Sequence, residues 1–151
     1  MNCKLIINFT KNNISSNNII LYTQKENTYD YYLNEIHTNN IKLNTIANNI
    51  IDYNMCLYAV KLNGLYLSQV PMKFMTQELC IEAVLQNGNA IKFVPIIYLT
   101  ENLCLMAVSN SPSSIIIIPE NYLTKQICDL VITKNKDLII YIPKKYIYNH
   151  I

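Results

Sequence analysis

Cysteine and proline both recur every 24 residues over the last two thirds of this 151-residue chain. The repeated positions are Cys56, Cys80, Cys104 and Cys128 for cysteine, and Pro71, Pro95, Pro119 and Pro143 for proline. A fixed period of about 20–50 residues is typical of solenoids, in which each unit packs only on its neighbours. The period therefore predicts a repeat architecture without insertions.

The boundaries of the repeats follow from the cysteine register. We expect a single repeat domain over residues 1–151 that opens with an irregular cap over residues 1–27. A degenerate repeat covers residues 28–55, with Tyr32 in the cysteine position. The clear repeats are 56–79, 80–103, 104–127 and 128–151. Terminal repeats are usually atypical because they cover the ends of the stack.

The first part of each repeat reads as an α-helix. Thr76 is a favourable N-cap residue, and the apolar residues from Leu79 onward recur at i, i+1, i+4 and i+5, which is the helical period. Asn87 and Gly88 are expected to end this helix, because both residue types tolerate the left-handed conformation that closes a helix.

The second part of each repeat is divided by its proline. Pro95 disfavours helix at the residue before it and suits the start of a new helix. This predicts a turn or 3₁₀ segment up to Val94 and a short helix to about Leu99. The chain is therefore expected to be all-α, a short solenoid of about five helix-turn-helix repeats. The β-branched runs 115–118 and 138–142 leave open an α/β solenoid with a short strand before each proline.

The two central repeats resemble a known family. The resemblance rests on five short motifs: Ala83-Val84, Asn87-Gly88, Ala90-Ile91, Phe93-Val94-Pro95 and Thr100-Glu101-Asn102-Leu103. They are similar to the tandem repeats of domain-of-unknown-function family 4116, found in giant amoebal virus proteins and some intracellular bacterial effectors. The resemblance spans roughly residues 28–151, although the repeats at 104 and 128 lose glycine and gain β-branched residues. It implies a giant-virus protein of the host cytoplasm or the virion, and it brings no known catalytic residue.

Composition argues against nucleic-acid and membrane partners. The formal net charge is only +2, and the chain contains no arginine, whose bidentate fork reads bases and clamps phosphate. The longest wholly apolar run, residues 115–119, is far shorter than a membrane span. The N-terminal apolar run is too short for a signal peptide. We expect a soluble cytoplasmic protein that binds neither nucleic acid nor membranes.

No cluster of residues indicates a catalytic, cofactor-binding or metal site. No two cysteines lie within four residues of each other, and His37 and His150 are far apart, unlike the close ligand pairs of a zinc site. On a buried helix stripe, the cysteines are better explained as small apolar packing residues. Gly64 and Gly88 are too few for a phosphate-binding loop. We therefore predict that the chain is not an enzyme and holds no cofactor or metal.

An aromatic column is the candidate functional feature. The candidate interaction residues are Phe74, Tyr98, Tyr122, Tyr146, Ile147 and Tyr148. Aromatic rows at this spacing often belong to a core, whereas a partly exposed tyrosine strip suits a protein interface. We predict a non-enzymatic intracellular protein-interaction module, and the alternative is a self-assembling or virion-associated structural subunit. The apolar stretch 138–151 further predicts a homodimer joined through the last repeat.

Overall fold

The fold is a stack of helical units that contain the same elements in the same order. The computed structural model describes residues 28–147. A complete unit has an N-cap residue, a ten-residue α-helix, a six-residue 3₁₀ segment, and a proline followed by one short helical turn. Residues 28–147 contain no strand. The all-α prediction is therefore confirmed, and the strand before each proline is not supported.

The elements keep the period of the sequence. The α-helices are α1 (28–37), α2 (Tyr53–Leu62), α3 (Gln77–Gln86), α4 (Glu101–Asn110), α5 (Lys125–Lys134) and α6 (Lys144–Ile147). The long 3₁₀ segments are Gly64–Gln69, Gly88–Phe93, Pro112–Ile117 and Lys136–Tyr141. The short 3₁₀ segments are Leu43–Thr45, Met72–Phe74, Ile96–Tyr98 and Glu120–Tyr122. The irregular cap predicted for residues 1–27 lies outside the described residues.

Each of the helices α2 to α5 begins with a side-chain cap. Oγ1 of Thr76 accepts a hydrogen bond from Leu79 N at 3.2 Å, and Oδ1 of Asp52 accepts one from Met55 N at 2.8 Å. Equivalent bonds from threonine start α4 and α5. Each bond satisfies a backbone N–H that has no partner within the helix. The helix starts are therefore where the sequence predicts them.

The units stack in two layers with the core between them. Helices α2 to α5 pack side by side, and the long 3₁₀ segments pack side by side against them. In the unit that starts at Thr76, the buried core residues include Leu79, Cys80, Ala83, Val84, Ala90 and Ile91. None of the helices in residues 28–147 has the length and apolar character needed to cross a membrane.

Glycine at the corner between the layers permits close packing. Asn87 is extended, with φ of −149°, and neither glycine of the described chain has a positive φ, so the predicted left-handed closure is wrong. A Cβ on Gly88 would lie 2.2 Å from the carbonyl oxygen of Ala107 in the next helix, and Gly64 approaches α3 equally closely. The left-handed conformation does occur at Asn39, with φ of 59°, in the degenerate repeat.

An amide side chain joins adjacent units at this corner. Nε2 of Gln86 donates to Leu62 O at 3.1 Å, and its Oε1 accepts from Gly64 N at 2.6 Å. One unit later, Nδ2 of Asn110 donates to Leu85 O at 2.7 Å, and its Oδ1 accepts from Gly88 N at 2.9 Å. Each amide therefore satisfies a carbonyl at one helix end and the first N–H of a 3₁₀ segment.

The third corner changes both of these groups together. Pro112 replaces glycine and has no N–H to donate, and Lys134 replaces the amide side chain and has no atom that accepts. Nζ of Lys134 donates to Ser109 O at 2.6 Å. A donor-only side chain thus meets a corner that offers only an acceptor. This pairing replaces the hydrogen bond that the glycine N–H makes at the two earlier corners.

Ser114 is the buried position at which we expect a substitution to stabilise the fold. Its hydroxyl has no hydrogen-bond partner among the described residues, and Ala90 occupies the same position one unit earlier. An unsatisfied buried polar group costs about 1–3 kcal/mol. Ser114→Ala should therefore raise the free energy of unfolding by about 1 kcal/mol in urea titrations. The exposed control Ser113→Ala should change it by less than about 0.5 kcal/mol. A loss of stability in Ser114→Ala would mean that the hydroxyl is bonded.

Candidate interaction surface

The aromatic column predicted from the sequence lies along the edge of the core. Phe74, Tyr98, Tyr122 and Tyr146 are half-buried, and all four pack against core residues. The hydroxyl of Tyr98 donates to Met75 O in the preceding unit at 3.1 Å. These contacts give the column a structural role, and its role in binding a partner stays a prediction.

The remaining two predicted surface residues differ in how far they are described. Ile147 is half-buried and also packs against the core. Tyr148 lies outside the described residues. The structure thus brings the column and Ile147 together along the core, with only part of each side chain accessible.

Seven apolar side chains on the 3₁₀ segments are more exposed than the column, and five of them line grooves. We name these five the apolar strip: Ile96, Ile116, Ile117, Ile140 and Tyr141. Ile140 is 77% exposed and Ile96 is 64% exposed. The strip crosses the three units that begin at Thr76, Thr100 and Thr124. Grouped exposed apolar residues of this kind usually mark a binding surface.

The strip contains two grooves, one at each boundary between its units. The first groove has a volume of about 160 Å³ and is lined by Ile96, Ile117 and Lys92 among others. The second has a volume of about 410 Å³, with Ile116 and Ile140 in its lining. Because Ile116 and Ile117 are consecutive, the two grooves adjoin.

Lysines lie beside both grooves. Lys144 and Lys145 line the second groove together with Glu120. Nζ of Lys145 lies 3.8 Å from Oε1 of Glu120, and both side chains are more than half exposed. Exposed pairs of this kind contribute about 0–1 kcal/mol, and Glu120 cancels one of the two positive charges in this lining. The second groove therefore combines apolar walls with a positively charged edge.

The geometry of the 3₁₀ segment explains why the exposure of the apolar strip was not predicted from the sequence. A 3₁₀ segment has three residues per turn. Ile115 and Ile118 consequently face the core, with exposures of 2% and 6%, while Ile116 and Ile117 between them face outward. At three residues per turn, a run of four isoleucines has two side chains that face the core and two that face outward. From the sequence, the run was predicted only as a possible strand.

The four cysteines are fully buried and free of disulfides. Burial raises the pKa of Cys56, Cys80 and Cys104 to about 11, and it also raises the pKa of Cys128. Such thiols stay protonated near neutral pH, whereas nucleophiles and metal ligands are thiolates. The predicted packing role is therefore confirmed. In residues 28–147, no three metal-ligating side chains come together.

The fold places the chain in the class of all-α stacks of short helical units. Residues 52–99 match the family described as Domain of unknown function (DUF4116). This span is the two structural units that begin at Asp52 and Thr76, and it accounts for 48 of the 151 residues. The chain is thus similar to that family over the repeats that carry the motifs. Neither a curated protein nor a solved structure matches the chain.

Proposed function

We propose that this chain is a non-enzymatic intracellular protein-interaction module that binds its partner through the apolar strip. The observation that supports the proposal best is the exposure of Ile140, 77%, at a groove of about 410 Å³. Single exposed apolar residues are common on protein surfaces, but five of them here line adjoining grooves. Stacked-repeat proteins commonly bind partners along such an extended face.

The proposal also extends the family similarity beyond residues 52–99. The units that begin at Thr100 and Thr124 have the same caps and the same element order, which supports their origin as further copies. The resemblance to repeats of giant amoebal viruses leads us to propose a viral protein that acts in the host cytoplasm or in the virion.

Self-assembly is the second candidate function. It would join two copies through residues 138–151, and the exposure of Ile140 and Tyr141 in the last described unit favours it. A two-fold dimer buries the same patch on both copies. Tyr146 and Ile147 are poor probes of this contact, because they pack against the core. Ile140 is the better residue to change.

Ile140→Lys is expected to weaken partner binding strongly while leaving the fold intact, because the side chain is 77% exposed. The matched control is Leu85→Lys, which changes a 53% exposed residue on the helix layer. Wild type and the control should retain the same protein from a host-cell extract. With that partner purified, Ile140→Lys should bind at least about tenfold more weakly.

Two measurements distinguish partner binding through the apolar strip from the alternatives. In sedimentation at about 50 µM, we expect a monomer. A wild-type dimer that dissociates in Ile140→Lys would establish self-assembly instead. Partner binding that survives Ile140→Lys but is lost in Leu85→Lys would place the contact surface on the helix layer and contradict the proposal.

A further inference from the structure

We propose that the apolar strip takes an acidic peptide segment in the polyproline II conformation, with two apolar side chains three residues apart. This inference rests on the proposed function, because it specifies the partner of the same surface. Three features carry it: the interval between the two grooves, the charge beside them, and the consequence of placing a second copy on the strip.

The interval between the grooves matches a polyproline II chain. The grooves lie at successive unit boundaries, where α3, α4 and α5 pack side by side. Packed helices are about 8–10 Å apart. A polyproline II chain has three residues per turn and advances about 3.1 Å per residue, so side chains three residues apart lie on the same face, about 9 Å apart. An apolar side chain between Ile96 and Ile117 is thus followed, three residues later, by one beside Ile140.

The charge beside the grooves favours carboxylates in the partner. Lys92 lines the first groove, and Lys144 and Lys145 line the second. None of the ion pairs in the described part of the chain includes Lys144. The linings of the two grooves contain these three lysines and one carboxylate, Glu120, a net charge of +2. Complementary charge steers association and selects partners.

The same charge disfavours a second copy of this chain on the strip. A two-fold contact brings identical patches together. The interface would then contain four lysines, Lys144 and Lys145 of each copy, but only two carboxylates, Glu120 of each copy, and excess like charge across an interface is unfavourable. An acidic partner avoids this repulsion and satisfies both the apolar walls and the lysines.

A fluorescein-labelled peptide tests the inference by fluorescence anisotropy with the full chain. The probe is Asp-Glu-Leu-Ser-Ser-Leu-Glu-Asp. Control probes carry lysine in place of the acids, serine in place of both leucines, or leucines only two residues apart. We expect the acidic probe to bind with a Kd below about 100 µM and each control to bind at least about tenfold more weakly. Raising NaCl to about 0.5 M should weaken binding of the acidic probe.

Matched variants locate the probe on the protein. Ile140→Ser should weaken binding of the acidic probe about tenfold, and Lys144→Gln should weaken it about threefold. Leu85→Ser on the helix layer and Lys136→Gln at the corner should leave it unchanged, since neither residue lines a groove. Circular dichroism of each variant checks that the fold is retained.

The outcomes separate this inference from the proposed function. Equal binding of the acidic and basic probes, both dependent on Ile140, would overturn the acidic partner and leave the strip as an interaction surface. Absence of binding by every leucine probe at about 1 mM would overturn the inference. In that case, an Ile140-dependent protein partner would keep the proposed function, and an Ile140-dependent dimer would replace it with self-assembly.

Discussion

Gly88→Ala is expected to lower the free energy of unfolding by about 3 kcal/mol, a typical upper value for overpacking a close contact. The new Cβ would lie 2.2 Å from Ala107 O and 2.9 Å from Ser111 N. Both are backbone atoms, so α4 must move away as a body. That movement also weakens the bond from Gly88 N to Oδ1 of Asn110 at 2.9 Å. Alanine restricts the unfolded chain, but this contributes only about 0.4–1 kcal/mol, so the clash decides the sign.

The last unit offers a control for the same substitution. Lys136 occupies the position of Gly88, and no unit follows it within the described residues. Lys136→Ala should therefore change the free energy of unfolding by less than about 0.5 kcal/mol. Gly64→Ala should behave like Gly88→Ala, because its Cβ would also lie 2.2 Å from a backbone oxygen. Urea unfolding measures all three, and a neutral Gly88→Ala would refute the close approach.

The helices could be predicted from the sequence because their signals are local. A cap such as Thr76 and an apolar stripe that starts at Leu79 lie within one helix, so period and capping chemistry identify them without knowledge of the neighbours. The break at Pro95 is equally local. The same signals predict a helix that begins at Thr100 and ends near Ser109 or Asn110, and α4 spans Glu101–Asn110 with Thr100 as its N-cap.

The contacts between units could not be predicted in the same way. The requirement for Gly88 arises from Ala107, which belongs to the next unit. The matched change at Pro112 and Lys134 couples residues that become neighbours only through stacking. Nothing in the sequence pattern marks Pro112 and Lys134 as neighbours.

The apolar strip was missed for a different reason. Pattern analysis needs contrast between apolar and polar positions, and the run Ile115–Ile118 has none. Only the three-residue turn of the observed 3₁₀ segment separates the inward pair from the outward pair. The aromatic column does show contrast between apolar and polar positions and a regular spacing. Both properties, however, are equally consistent with packing and with binding.

Raising the pH from about 9 to about 11 is expected to destabilise the fold by several kcal/mol. Burial raises the pKa of Cys56, Cys80 and Cys104 from the ordinary value of 9.0 to about 11. In this window the unfolded chain releases thiol protons that the native state retains. The free energy of unfolding therefore falls as the pH rises. One unit of pKa on one group corresponds to about 1.4 kcal/mol, so these three thiols contribute up to about 4 kcal/mol per pH unit, and Cys128, whose pKa burial also raises, adds to the slope.

Urea titrations at pH 8, 9 and 10 measure the slope of the free energy of unfolding against pH. A single substitution then tests whether the buried thiols cause this slope. These thiols should contribute little below pH 9, because both states then hold the protons. Cys80→Ala should remove about a quarter to a third of the slope at higher pH, although it lowers stability at every pH by leaving a small cavity. Tyr29, whose pKa burial and the bond to Asp52 raise to about 12, adds to the loss only above about pH 10. An unchanged slope in Cys80→Ala would exclude the buried thiols as its source, and fast labelling of native thiols at pH 8 would contradict their burial.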